Sequence, residues 1–241
     1  MSIALMAPAK LTLSLRLTGV VRPDGRHEID AEMVSLDFGD ELSLTPTDGT
    51  PSVVRFAGAD VDVPAAADDL VARALDLADR QALVEVTKHV PAGAGLGGGS
   101  SDAAAILRWA GYTDLVQAAD VLGADVAYCI VGGRARVTGI GEMVEPMPYE
   151  PLTVTLLTPP VRCPTGAVYK AWDELAPPPS PNGNDLEPAA LAVQPELARW
   201  RDELSTATGQ QPRLAGSGST WFVVGAFPGP GRRVARTIPA P

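Results

Sequence analysis

Pro91-Ala92-Gly93-Ala94-Gly95-Leu96-Gly97-Gly98-Gly99-Ser100-Ser101-Asp102 is the stretch on which the reading of this sequence turns. Five of the seven residues from Gly93 to Gly99 are glycine. A segment so free of side chains can curl until several N–H groups aim at one anion. The alternation of Leu83–Val90 predicts a strand before it. The small residues after it predict a helix over Ala103–Trp109, capped by Ser100-Ser101-Asp102. A helix N-terminus is partly positive, so loop and helix together make a phosphate site. Ser100 and Ser101 offer hydroxyls to the phosphate or to a Mg²⁺ shell. A flexible hinge would also use glycine, but it has no need of the cap or the small-residue helix.

Two common phosphate loops fit poorly. Gly93–Gly98 matches G-x-G-x-x-G, yet any glycine-dense stretch does. A dinucleotide fold also wants continuously apolar strands, whereas the strands here alternate. The Walker pattern fails because no Lys-Ser/Thr follows the glycines.

The bulk of the chain narrows the partner. With 241 residues, 46% of them apolar, the chain can bury a sizeable core. No apolar run reaches the length of a membrane span, and the first residues lack the pattern of a secretory signal. Two distant cysteines, Cys129 and Cys163, suit a reducing cytoplasm and give no metal-type spacing. A net charge of −10 argues against nucleic acid as partner. Only three lysines occur, Lys10, Lys88 and Lys170, so a phosphate site must rest on backbone N–H groups and a few chosen cations.

Outward from the loop the pattern is mixed α and β. Leu11, Leu13, Leu15 and Leu17 mark a strand over residues 3–17, and Arg22-Pro23-Asp24-Gly25 a turn. Further strands are expected at Ile29–Phe38, Asp40–Thr45 and Val53–Phe56, with a helix over Asp69–Ala82 capped by Asp68. A short helix precedes Gly123-Ala124-Asp125-Val126, and Ala135–Thr138 begins the next strand. Beyond Pro146 the texture changes, and a domain boundary is expected near residue 150. There follow a strand at Leu152–Leu157, a proline-rich loop at Pro177–Pro181 and helical stretches in Leu186–Leu204 broken by Pro188 and Pro195. A second glycine cluster, Gly216-Ser217-Gly218-Ser219, precedes a strand at Trp221–Ala226. Pro228–Pro241 reads as a short proline-rich tail.

Three motifs in order carry a specific resemblance. Pro91–Ala105 resembles the ATP-binding motif of the GHMP kinases (galactokinase, homoserine, mevalonate and phosphomevalonate kinases). Ala7-Pro8-Ala9-Lys10 is similar to the family's first motif, and Ala215-Gly216-Ser217-Gly218-Ser219-Thr220 to its third. Within the superfamily the chain is most similar to the 4-diphosphocytidyl-2-C-methyl-D-erythritol kinases. The pieces that match are Arg22–Glu28, Leu122–Val126, Pro164–Tyr169 and Asn184–Pro188, and the similarity covers most of residues 5–225.

That resemblance implies a two-domain α+β fold. An N-terminal ATP-binding domain would span 1–149, and a shortened ferredoxin-like domain 150–241, with the active site between them. It implies ATP with Mg²⁺, a cytidine diphosphate-linked polyol as substrate, and a monomer or weak homodimer. The reaction would be phosphorylation of the polyol's 2-hydroxyl in non-mevalonate isoprenoid synthesis. Pro91, Ala92, Gly93, Ala94, Gly95, Leu96, Gly97, Gly98, Gly99, Ser100 and Ser101 would hold the nucleotide.

Asp125 takes the place of the family's catalytic aspartate, which orients the hydroxyl and accepts its proton. Lys10, costly to bury alone, would pair with it or steady the transferring phosphoryl. His27 would read the cytosine edge, Thr165 would lie beside the substrate diphosphate, and Gly216 and Ser217 would approach the substrate closely. Two positions depart from the pattern, Arg26 for the usual tyrosine and Thr12 for the usual asparagine; both are expected at the substrate. Two other readings stay open, a GHMP kinase for a different alcohol and a nucleotide-binding relative without turnover.

Overall fold

The computed structural model describes residues 1–58 and 69–241. Its backbone is built on a long antiparallel pair, β1 (Ile3–Val21) and β2 (His27–Pro46). The turn between them is the one predicted. Gly25 has positive φ, Gly25 N–H donates to the Arg22 carbonyl, and Asp24 accepts from Arg26 N–H. Ile29–Phe38 and Asp40–Thr45 were expected as two strands, but Gly39 does not separate them. The Ala7 carbonyl occupies the space a Cβ there would need, and β1 takes up the irregularity with a bulge between Pro8 and Lys10.

β2 is the organising strand because its length serves several partners. Besides β1 it pairs with β4 (Ala82–Thr87), β5 (Arg134–Gly139) and, through Ser35 and Leu36, β10 (Arg232–Ile238). β3 (Val53–Ala57) lies parallel to β4, and β6 (Met143–Pro146) antiparallel to β5. In the C-terminal part β10, β7 (Thr153–Leu157), β9 (Trp221–Val224) and β8 (Arg213–Leu214) pair in that order. The expected tail is thus largely a strand, and it joins the two sets of strands into one sheet. Its alternation was obscured by the flanking prolines and arginines.

Helices α1 (Leu70–Leu77), α2 (Gly98–Ala110), α3 (Leu115–Leu122) and α4 (Ala124–Val131) pack with one another beside β1 and β2. The expected cap Asp68 lies outside the described residues; Asp69 caps α1, accepting from Val71 and Ala72 N–H. That helix stops at Leu77, short of Ala82, where β4 begins. α5 (Thr165–Leu175), α6 (Glu187–Val193) and α7 (Leu197–Thr208) accompany the later strands. Pro188 does not break a helix: it sits in the first turn of α6, where its missing N–H costs nothing. Pro195 does divide α6 from α7.

Both faces of early β1 are covered, so alternation fails there and Ala9, Lys10, Leu11 and Thr12 are all buried. Ala9 and Leu11 face a core with Leu96, Val154, Leu156 and Phe222, while Ala7 and Leu15 belong to the larger core around α2. This burial on two sides is what brings a lysine to the interior.

Candidate active site

The glycine loop lies against β1 and the second glycine cluster. Lys10 N–H donates to the Leu96 carbonyl at 2.9 Å, and Thr220 N–H to the Ala94 carbonyl at 3.2 Å. Gly95 and Gly97 have φ of +76° and +68°. A Cβ on Gly95 would stand 2.6 Å from the Ala215 carbonyl oxygen and 2.7 Å from that of Gly218; one on Gly97 would meet the Lys10 side chain at 2.6 Å. Close approach as well as backbone conformation therefore demands glycine at both positions.

α2 begins at Gly98 and is entered through Gly97, with no side-chain cap. The expected Ser100-Ser101-Asp102 cap is therefore corrected: Ser100 and Ser101 sit inside the first turn and Asp102 follows it. The N–H groups at the helix start are left to an outside acceptor. Ser101 is buried and donates to the Pro8 carbonyl at 2.6 Å, so its hydroxyl ties the helix to β1. Leu96 packs in the core.

Two cavities meet at this loop. The larger, about 640 Å³, is lined by Lys10, Thr12, Arg26, His27, Asp125, Thr165, Gly216 and Ser217 among others. The smaller, about 350 Å³, is lined by Pro91, Ala92, Ala94, Gly98, Gly99, Lys88, Asp102 and the side of α1. Gly93, Gly95, Gly97 and Ser100 border both.

Lys10 and Asp125 come together from elements far apart in the chain. The ammonium, on buried β1, stands 3.1 Å from Asp125 Oδ2 and donates to Thr12 Oγ1 at 3.2 Å. Asp125 lies in the first turn of α4 with its side chain 38% exposed, whereas that of Lys10 is only 5% exposed, and both line the larger cavity. Thr165 and Ser217, which line the same cavity, share a hydroxyl–hydroxyl hydrogen bond of 3.0 Å. Arg26 stands at the rim, held by Asp24 at 2.6 Å and Asp120 at 3.0 Å.

Some contributors were not assigned from the sequence. Asn184 is buried and donates to the Leu214 and Gly216 carbonyls at 2.8 and 2.7 Å, fixing the second glycine cluster. Asp185 accepts from Arg16 and from Leu17 N–H, docking the same segment on β1. Tyr169, quoted above only as part of a motif, presents its ring to the larger cavity beside His27. Lys88 bridges Asp40 and Asp102 beneath the loop. The scarcity of lysine was a signal that Lys88 had work to do; its partners were not visible in the sequence.

Residues 63–133 match the family model described as the GHMP kinases N-terminal domain. The chain is 36% identical to the 4-diphosphocytidyl-2-C-methyl-D-erythritol kinase of Cereibacter sphaeroides, over 97% of this chain and 93% of that protein. The enzyme of the same name from Paracoccus denitrificans is 37% identical over 90% of this chain and 84% of its own. The chain belongs to the 4-diphosphocytidyl-2-C-methyl-D-erythritol kinase family. A crystal structure of 4-(cytidine 5'-diphospho)-2C-methyl-D-erythritol kinase superposes with a TM-score of 0.76 at 28% identity, covering 97% of this chain and 98% of that one. A homoserine kinase from Cytophaga hutchinsonii shares the fold, with a TM-score of 0.64 at 17% identity over 99% of this chain and 95% of its own. The protein is thus a kinase of the mixed α+β GHMP fold, and no helix among the described residues is long and apolar enough to cross a membrane.

Proposed function

We propose that this kinase transfers the γ-phosphoryl group of ATP to the 2-hydroxyl of 4-diphosphocytidyl-2-C-methyl-D-erythritol, a step of non-mevalonate isoprenoid synthesis. The observation that carries the reading is the shared wall. Gly93, Gly95, Gly97 and Ser100 border both cavities, and Lys10–Asp125 faces that wall from the larger one. A nucleotide in the smaller cavity, its phosphates on the loop and the α2 N-terminus, would present its terminal phosphoryl to an alcohol in the larger.

Asp125 is open to the cavity and placed to accept the hydroxyl proton as the oxygen attacks phosphorus. Lys10, 3.1 Å away, places a positive charge beside the same point, where charge spreads over the transferring oxygens. Mg²⁺ would arrive on the nucleotide and offset charge on its phosphates. Ser100, which borders both cavities, is the hydroxyl offered to its shell.

Tyr169 gives the larger cavity an aromatic surface for a base, and His27 a polar edge beside it. Arg26, held by Asp24 and Asp120, suits the rim better than a stacking role. Thr12 spends its hydroxyl on Lys10 and so positions the ammonium. Thr165 and Ser217 offer hydroxyls to the substrate diphosphate.

The test is ADP release from purified protein with Mg-ATP and the cytidyl alcohol. Turnover that Asp125→Ala abolishes is the expected result. Activity only on a different alcohol would replace the substrate assignment, and nucleotide binding without turnover on any alcohol would overturn the catalytic one.

A further inference from the structure

His27 and Asp173 meet across the larger cavity, one at the start of β2 and the other on α5. His27 is buried, and its Nε2 stands 3.1 Å from Asp173 Oδ1 and 3.3 Å from Oδ2. α5 holds the ring on two further sides. Tyr169 stacks on it with centroids 5.4 Å apart and planes at 25°, and Trp172 meets it edge-on at 5.4 Å and 79°. The ring has little freedom to turn.

Such a grip has a chemical consequence. An ionised carboxylate can only accept, so the nitrogen facing it must carry the proton. In a neutral imidazole the other nitrogen is then an acceptor. Among the described residues no hydrogen bond occupies Nδ1, and both His27 and Asp173 line the cavity.

We propose that Asp173 is a positioning residue that holds the His27 proton on Nε2, leaving Nδ1 as the acceptor for an exocyclic amino group. Cytosine presents such a donor at its 4-position, whereas uracil presents a second acceptor there. The pair would therefore select a cytidine over a uridine diphosphate-linked substrate, because two acceptors face to face leave a desolvated polar group unpaired. This inference rests on the cytidyl substrate proposed above.

Two measurements test it. The chain has only two histidines, His27 and His89, so imidazole ¹⁵N spectra report each ring without ambiguity. At mildly alkaline pH His27 is expected as the Nε2–H tautomer, and Asp173→Ala is expected to move it toward a mixture while His89 stays put. In steady state Asp173→Ala is expected to raise KM for the cytidyl alcohol about tenfold, the equivalent of one lost hydrogen bond. KM for ATP should move little, and preference over the uridyl analogue should narrow. Asp173→Glu, which keeps a carboxylate, should restore part of both effects. Should the alanine variant fail to fold, Asp173→Leu, of similar size and with no hydrogen-bonding group, carries the same comparison.

A wild-type His27 in the Nδ1–H form would overturn the proposal, as would Asp173 variants with unchanged tautomer and unchanged base preference. A wild-type protein active on neither nucleotide-linked alcohol would instead overturn the substrate reading, and the spectra would still decide the His27–Asp173 pairing.

Discussion

Asp102 Oδ2 lies 2.6 Å from the Lys88 ammonium, and through it the two ends of the glycine loop are tied together. Lys88 also contacts Asp40, whose other oxygen accepts from His89 and Val90 N–H where the loop begins. Asp40 and Asp102 are both fully buried, and among the described residues Asp102 Oδ1 has no hydrogen-bond partner. Burial opposes the Lys88 charge, but the two carboxylates outweigh it and its pKa is raised. Burial pushes the Asp102 carboxyl up to about 7, Asp40 adds to the rise, and Lys88 opposes it.

The sign for Asp102 follows from linkage. Its pKa is raised on folding, so between about 4 and 7 the native state keeps a proton that the unfolded chain has lost. The stability it contributes is present at the acid end and lost as pH rises through that window. Asp102→Asn does not titrate and should gain on the wild type over this range, by on the order of a few kcal/mol. Urea denaturation of both proteins at several pH values measures it; parallel pH dependences would contradict the assignment.

Lys10→Met keeps the length of the side chain and removes the charge beside Asp125. Loss of a preorganised cation at the reacting centre should lower kcat by roughly 10²–10³ with a smaller change in KM. Stability should change little, because Asp125 is 38% exposed and water can take over its solvation. An unchanged kcat would remove Lys10 from the chemistry.

Gly95→Ala confronts backbone rather than flexible side chain. The added methyl would fall 2.6 Å from the Ala215 carbonyl oxygen, at a φ of +76°. Loop and second glycine cluster must then separate, and a loss of about 1–3 kcal/mol with weakened ATP binding is expected. Thermal melts with and without ATP would show a lower midpoint and a smaller ligand-induced rise. Wild-type behaviour in both would mean that the two segments do not depend on their contact.

Asn184→Ala removes the two donations that hold the Leu214 and Gly216 carbonyls and leaves both oxygens buried. A destabilisation of about 2–6 kcal/mol is expected, at about 1–3 kcal/mol for each of the two unsatisfied groups. The second glycine cluster should loosen as well, so KM for the alcohol should rise more than KM for ATP. Denaturation and steady-state kinetics on one preparation separate the two effects.

Much of this molecule can be read locally. The glycine loop, the strand before it and the helix after it follow from periodicity and from residues whose backbone demands are plain. So do the Arg22–Gly25 turn and the strands expected at Leu152–Leu157 and Trp221–Ala226, which are found at Thr153–Leu157 and Trp221–Val224. Lys10 and Asp125 were paired in the sequence through a resemblance, and the structure places them 3.1 Å apart. Which end of a helix is capped, and by what, was legible only in part. Asp69 caps α1, the expected Asp68 lying outside the described residues, and Gly97 opens α2 while three polar residues that look like caps lie within it.

What the sequence determined by itself was a glycine-rich loop between a strand and a helix start, the pattern of an anion site, while a family resemblance singled out one lysine and one aspartate for the proposed phosphoryl transfer. Tertiary structure decided where each remaining polar group spends its hydrogen bonds. Ser101 turns to the Pro8 carbonyl, Lys88 to two carboxylates, Asn184 to the second glycine cluster, and Asp173 to His27. Local pattern records a residue's backbone preference and its burial, whereas a hydrogen-bond partner is supplied by whatever the packing of distant segments brings within reach. For the glycine loop that means its composition points to the proposed phosphate, and its close fit between Lys10 and Ala215–Gly218 fixes where the loop itself lies.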